Sequence, residues 1–124
     1  MTVKPDAVAW LLSRFGVQSP STYTSKYYIP EQSWTGRDAW WFEIPRAAIE
    51  TPRSAEVHLL LQVVPDAKEF HYLCVPASFL KEQLPKLTLQ KSGKVSLFLS
   101  AEPHNMFVDQ RGRGKVAFSQ FLRT

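Results

Sequence analysis

Five consecutive residues near the C-terminus, Arg111-Gly112-Arg113-Gly114-Lys115, hold three cations and two glycines. Cations so spaced suit contact with phosphates, giving affinity that falls steeply with salt and carries no reading of bases. These three form the phosphate-binding candidate. The glycines suit a turn and are expected to supply positive φ at 112 and 114. Phe107 and Val108 before the run, and Val116 and Phe118 after it, fit two short extended arms or a strand entering a final helical turn. A hairpin tip therefore accounts for the glycines, and Asp109 or Glu102 offers a carboxylate to pair the charge. The run lacks the preceding strand and following helix that a phosphate-cradling loop needs.

A second set of chemistry-bearing residues is Glu43, His58, Gln62 and His71. A carboxylate beside an imidazole raises its pKa and orients it as an acid or base, although cross-strand polar pairs ordinarily just stabilise a sheet. The spacing excludes a shared metal. If residues 65–68 form the connection of a hairpin, His58 and His71 lie four positions apart along it, about 13 Å at ~3.3 Å per residue. Two nitrogens on one zinc must each lie within about 2.1 Å of it. Cys74 is the lone cysteine and points to the face opposite His71, which excludes an internal disulfide and a thiol-imidazole pair. No catalytic residue, cofactor or metal is expected, and the reading leans away from an enzyme.

Those residues sit on elements that the hydrophobic pattern defines. "KPDAVAWLLSRFG" predicts a helix with Pro5 in its first turn, an apolar stripe of Val8, Leu11, Leu12 and Phe15, and Gly16 closing it. Residues 17–36 show no clean period; a strand over residues 23–29 or a functional loop both fit. "DAWWFEIP" alternates as a strand, with Trp40, Phe42 and Ile44 on one face and Trp41 and Glu43 on the other. After the bridge "RAAIETPRS", "EVHLLLQVV" and "EFHYLCV" pair across "PDAK", completing an antiparallel meander.

In that register Leu61 faces Tyr72, Leu59 faces Cys74 and Val63 faces Phe70. Val57, Leu59, Leu61, Val63, Phe70, Tyr72 and Cys74 then form one buried face beside Phe42 and Ile44. The opposite face carries the polar cluster together with Trp41, Leu60, Leu73 and Val75, too apolar to be left in water. "PASFLKEQLP" predicts a short helix burying Ala77, Leu80 and Leu84, and a C-terminal leucine hairpin joins through residues 92–94, with Leu89 opposite Leu97.

The order helix, three strands, helix, strand over residues 5–100 resembles the αβββαβ core of the restriction-endonuclease-like PD-(D/E)xK nuclease fold. That family sets an acidic residue on one strand and an acidic-x-Lys on the next to hold Mg²⁺. Here the only acidic-x-Lys, Asp66 and Lys68, falls in the turn, and Glu56 lies about 30 Å from Asp66 if the chain between is extended. The resemblance thus implies a nuclease-like frame whose metal site is lost or rebuilt.

At 124 residues, with 44% hydrophobic and 21% charged side chains, the chain is expected to form one α+β domain, 1–124: an antiparallel sheet with an N-terminal helix and a short helix after the third strand. The apolar start, broken by Asp6 and Arg14, is too short for a membrane span, so a cytoplasmic, membrane-free protein is the expectation. The net charge of +4 is uneven: residues 81–124 hold eight Lys/Arg against three Asp/Glu. Two binding functions follow. One is protein interaction or self-association, most simply a homodimer, through an aromatic surface of Trp34, Trp41, Tyr27 and Tyr28. The other is nucleic-acid binding through Arg111, Arg113 and Lys115, and a small ligand under the Tyr-rich segment is a third possibility.

Overall fold

The computed structural model describes residues 3–51 and 54–124; Pro52 and Arg53 of the bridge after the first tryptophan-rich strand lie outside them. The elements run α1 (Lys4–Phe15), β1 (Thr22–Ser25), β2 (Ala39–Pro45), α2 (Arg46–Glu50), β3 (Glu56–Gln62), β4 (Phe70–Pro76), α3 (Ala77–Gln83), β5 (Thr88–Leu89), β6 (Lys94–Ser100) and β7 (Leu122–Arg123). This is the expected α+β class, with the helix at the N-terminus and the short helix after β4. No helix among the described residues is long and apolar enough to cross a membrane.

The strands form two sheets, ordered β1-β3-β4-β7 and β2-β6-β5. β1 runs parallel to β3, and every other pairing is antiparallel. The expected β2–β3 neighbours are therefore not neighbours. β2 pairs along its whole length with β6, Trp41 opposite Phe98 and Glu43 opposite Ser96. The two sheets face each other across one core: Trp40, Phe42, Ile44, Val95, Leu97 and Leu99 from one, and Val57, Leu59, Leu61, Leu73 and Val75 from the other. A strand whose alternate residues are all apolar buries them best against a second sheet, which explains why β2 leaves β3 for β6.

The β3–β4 hairpin is offset by one residue from the expected register. Leu59 faces Leu73 and Leu60 faces Tyr72, because the connection is the five residues 64–68, closed by Val63 N–H donating to Glu69 O, in place of the expected four. Ala67 N–H donates to the Val64 carbonyl, Pro65 takes the second turn position, and Asp66 follows with φ 63°, as in a type II turn. The slip moves every β4 side chain to the other face. Phe70, Tyr72 and Cys74 thus leave the main core and form a second one with Leu60, Ala7 and Leu11. Val63 is half-buried.

The outer face of the first sheet is covered by α1. Gly16 ends that helix at φ 67°, its N–H donating to Leu12 O. The buried stripe is Ala7 and Leu11, with Trp10 and Phe15 packed alongside, whereas Leu12 is exposed. The apolar face of Leu60 and Leu73 is thereby closed within the chain: Leu60 lies under α1, and Leu73 lies in the inter-sheet core. No uncovered face remains there to demand a second copy. α3 buries Ala77 and Leu80 as expected, while Leu84 begins a 3-10 turn at Pro85 and is half-buried.

The last hairpin is also shifted. Leu89 lies opposite Val95, since Gln90 N–H donates to Lys94 O and the three-residue connection is 91–93, with Gly93 at φ 87°. β5 stops after two residues, and residues 107–110 take over the edge of β6: Ser100 N–H donates to Val108 O, and Gln110 N–H to Phe98 O.

Leu59 is fully buried at the centre of the inter-sheet core. Leu59→Ala should lower the unfolding free energy by about 2–5 kcal/mol in urea titrations, as for other buried large-to-small changes. A loss under about 1 kcal/mol would contradict this packing.

Candidate functional site

The four residues of the expected polar cluster are dispersed by the two sheets and the one-residue slip. Glu43 lies on the outer face of β2. His58 faces α1, where its Nδ1 is 2.7 Å from the Tyr72 hydroxyl. His71 turns into the main core between Trp40 and Phe107, with ring centroids 5.6 and 5.4 Å away. Gln62 shares the His58 face at the far end of β3. There its Oε1 accepts Tyr27 N–H and its Nε2 donates to Ala67 O, tying the turn to the Tyr-rich segment.

His58 does gain neighbours that its sequence position does not announce. Cys74 stands opposite it, and the thiol donates to Glu56 Oε2 at 2.9 Å. Burial lowers the His58 pKa, with Glu56 opposing weakly; burial, then Glu56, raise that of Cys74. Burial above all drives the Tyr72 hydroxyl far above its ordinary value. A neutral imidazole, a protonated phenol and a protonated thiol form a satisfied polar chain rather than an activated nucleophile. No group of three or more metal-ligating side chains is assembled among the described residues.

The aromatic surface and the basic run, separate in the sequence, meet. Residues 29–38 form a loop closed at its base by reciprocal hydrogen bonds between Tyr28 and Ala39. Turns from Ile29 O and Ser33 O shape it, with Gly36 at φ 73°, and it carries Trp34, which is 62% exposed. Trp34 leans on Phe98 at 5.7 Å between centroids, Phe98 neighbours Trp41 at 6.3 Å, and Trp41 meets Tyr28 edge-on at 6.5 Å. The Arg111 guanidinium lies 5.3 Å over the Trp34 ring, and Lys26 Nζ lies 4.9 Å over Tyr28.

Tyr28, Trp34, Trp41, Phe98 and Arg111, with Gln32 and Ser33, line an open groove of about 300 Å³ on the outer face of the second sheet. Beside it the buried Ser96 hydroxyl accepts from Trp41 Nε1 and Gln90 Nε2, with Arg111 Nη1 at 3.5 Å. Tyr27 is the member of the aromatic set that goes elsewhere, packing edge-on against core Trp40.

Arg111 is held there by Asp109, whose fully buried carboxylate accepts the N–H groups of Phe98 and Gly112 at 2.9 Å and of Arg111 at 3.4 Å. The arms of the loop pair as expected, with Asp109 N–H donating to Val116 O and Phe118 N–H to Phe107 O. The glycines serve a different purpose from the one expected. Neither Gly112 nor Gly114 has positive φ; in this loop Lys115 does, at 47°. A methyl on Gly112 would overlap the Lys86 carbonyl and the Asp109 carboxylate, and one on Gly114 would meet the Lys86 side chain. They permit close approach, so that the loop lies down on residues 86 and 87. Arg113 and Lys115 remain exposed at the tip, with Lys115 Nζ donating to Gln110 O.

A larger cleft, about 480 Å³, lies between β1 and α2 against Pro20, Tyr23, Pro45 and Ala48, and has no charged side chain among its described lining. Comparison with protein-family models, with curated proteins and with solved structures finds no match.

Two predictions follow from this geometry. Gly112→Ala should destabilise by about 1–3 kcal/mol through overpacking, and Gly114→Ala by less, because the long Lys86 side chain can move aside; equal melting losses would contradict the close-approach role. Burial lowers the pKa of His58, and partial burial that of His71, below the ordinary 6.5. The unfolded chain therefore binds more protons just below that pH, and stability is lost as pH falls from neutrality through it. Urea midpoints should drop over that interval and drop less in His71→Phe. A midpoint that stays level or rises would contradict the burial of both imidazoles.

Proposed function

We propose that this protein acts by binding, and that its recognition surface is the groove of Tyr28, Trp34, Trp41 and Phe98 with Arg111 on its wall. The observation that supports this most is the position of Trp34. A large ring more than half exposed, beside a half-buried Trp41 and under a guanidinium, is an arrangement that a purely structural loop does not require. Tryptophan, tyrosine and arginine are the side chains that most often dominate recognition, because they offer large rigid contact area with a polar handle.

The support for binding over catalysis is chemical. His58, Tyr72 and Cys74, the linked groups with shifted pKa values, lie on the other sheet and satisfy one another, while the groove offers rings, one of them the phenol of Tyr28, amides and one guanidinium. Of the partners that the sequence leaves open, a second copy of this chain draws less support, since α1 and the facing sheet already cover Leu60 and Leu73.

An isotope-labelled sample titrated with free indole as a small aromatic probe tests the groove without assuming its partner. The side-chain N–H signals of Trp34, Trp41 and Arg111 should shift and saturate together, and those of Trp10 and Trp40 should stay in place. Shifts spread over all four tryptophans, or none, would contradict the assignment.

A further inference from the structure

We infer that the occupant of this groove is a single-stranded nucleic acid, its bases stacking on Trp34 and the neighbouring rings and its phosphates meeting Arg111, Arg113 and Lys115. The inference rests on the groove being the recognition surface and adds the class of partner.

The charge around the groove points that way. Two of the rings at the groove have a cation over their faces, Arg111 on the exposed Trp34 and Lys26 on the half-buried Tyr28. The same tip that delivers Arg111 also presents Arg113 and Lys115 to solvent. The nearest acid of that loop, Asp109, is fully buried and occupied by backbone N–H groups, so it does not pair the cations as the sequence allowed. Glu43 acts at the Tyr28 end, where after burial it raises the phenol pKa. The Trp34 end is thus the cationic one.

A single strand supplies one flat ring and one negative charge per repeat, which matches a surface that interleaves rings with cations. An acidic peptide would supply the charge without the rings. A duplex hides its base faces in the stack and would leave Trp34 unused. Stacking tolerates any base, so the surface should show little sequence preference.

The test is fluorescence anisotropy with end-labelled oligothymidylate and oligouridylate at low and moderate salt, with a duplex of equal length and an oligoglutamate peptide as competitors. The wild-type chain should bind the single strands, more weakly as salt rises. Trp34→Ala, at an exposed position that the fold does not need, should weaken binding about tenfold. Arg111→Gln should weaken it as well, and the Arg113→Gln/Lys115→Gln pair should flatten the salt dependence. Absence of binding at low salt, equal affinity of wild type and Trp34→Ala, or equal competition by the duplex or by oligoglutamate would overturn the inference. If indole still marks the groove while no strand binds, only the choice of partner falls. If neither binds, the groove reading falls with it.

Discussion

The buried carboxylate of Asp109 is the interaction on which the functional surface depends. Burying a charge is costly unless hydrogen bonds replace its water, and here backbone N–H groups from β6 and from the following turn do so. β6 needs that carboxylate in return. β5 begins only at Thr88, opposite Ser96, so the Phe98 N–H at the newly exposed edge has no β5 carbonyl to meet, and Asp109 supplies the acceptor. One side chain thereby closes the sheet edge and folds the basic run back over residues 86 and 87. The bare Gly112 lets the run settle, and Arg111 arrives above Trp34. The opposite wall is set independently by the Tyr28–Ala39 pair, so two loops far apart in sequence converge on Phe98.

Local pattern carried much of this. The α1 boundaries, its glycine cap, the faces of β2 and the helix between Pro76 and Pro85 all follow from periodicity and from proline and glycine chemistry, which act over a few residues. The pairing of strands does not. β2 and β6 pair residues about fifty to sixty positions apart, and β1 is a four-residue parallel strand inside a segment with no period. The hairpin register turned on a single residue: Asp66 adopts positive φ, which an aspartate tolerates but which nothing in "PDAK" demands. With one residue added to the tip, Phe70, Tyr72 and Cys74 changed faces, and the polar cluster of Glu43, His58, Gln62 and His71 dissolved.

The site was legible in its parts but not in its assembly. Aromatic crowding marked Tyr28, Trp34 and Trp41, and cation spacing marked Arg111, yet they stood as rival surfaces because nothing in a linear pattern brings residue 34 to residue 111. Phe98 sits among the leucines of "KVSLFLS" in the sequence, and its even position on β6 turns it outward beside Trp41. A signal for the convergence did exist in Asp109: a carboxylate two residues before an Arg-Gly step can take the N–H of that glycine in a tight turn. Its place in the sequence suits a counter-ion for the arginines, whereas its burial commits it to the backbone.

If the two loops form one surface, Trp34 and Arg111 must act on a ligand as a coupled pair. A double-mutant cycle on single-strand affinity, using Trp34→Ala, Arg111→Ala and the combination, measures this directly. Contact at 5.3 Å predicts that the combined loss differs from the sum of the separate losses by at least about 0.5 kcal/mol, as for neighbouring residues elsewhere. Strict additivity would mean that ring and guanidinium work apart, and would contradict the account of a single groove.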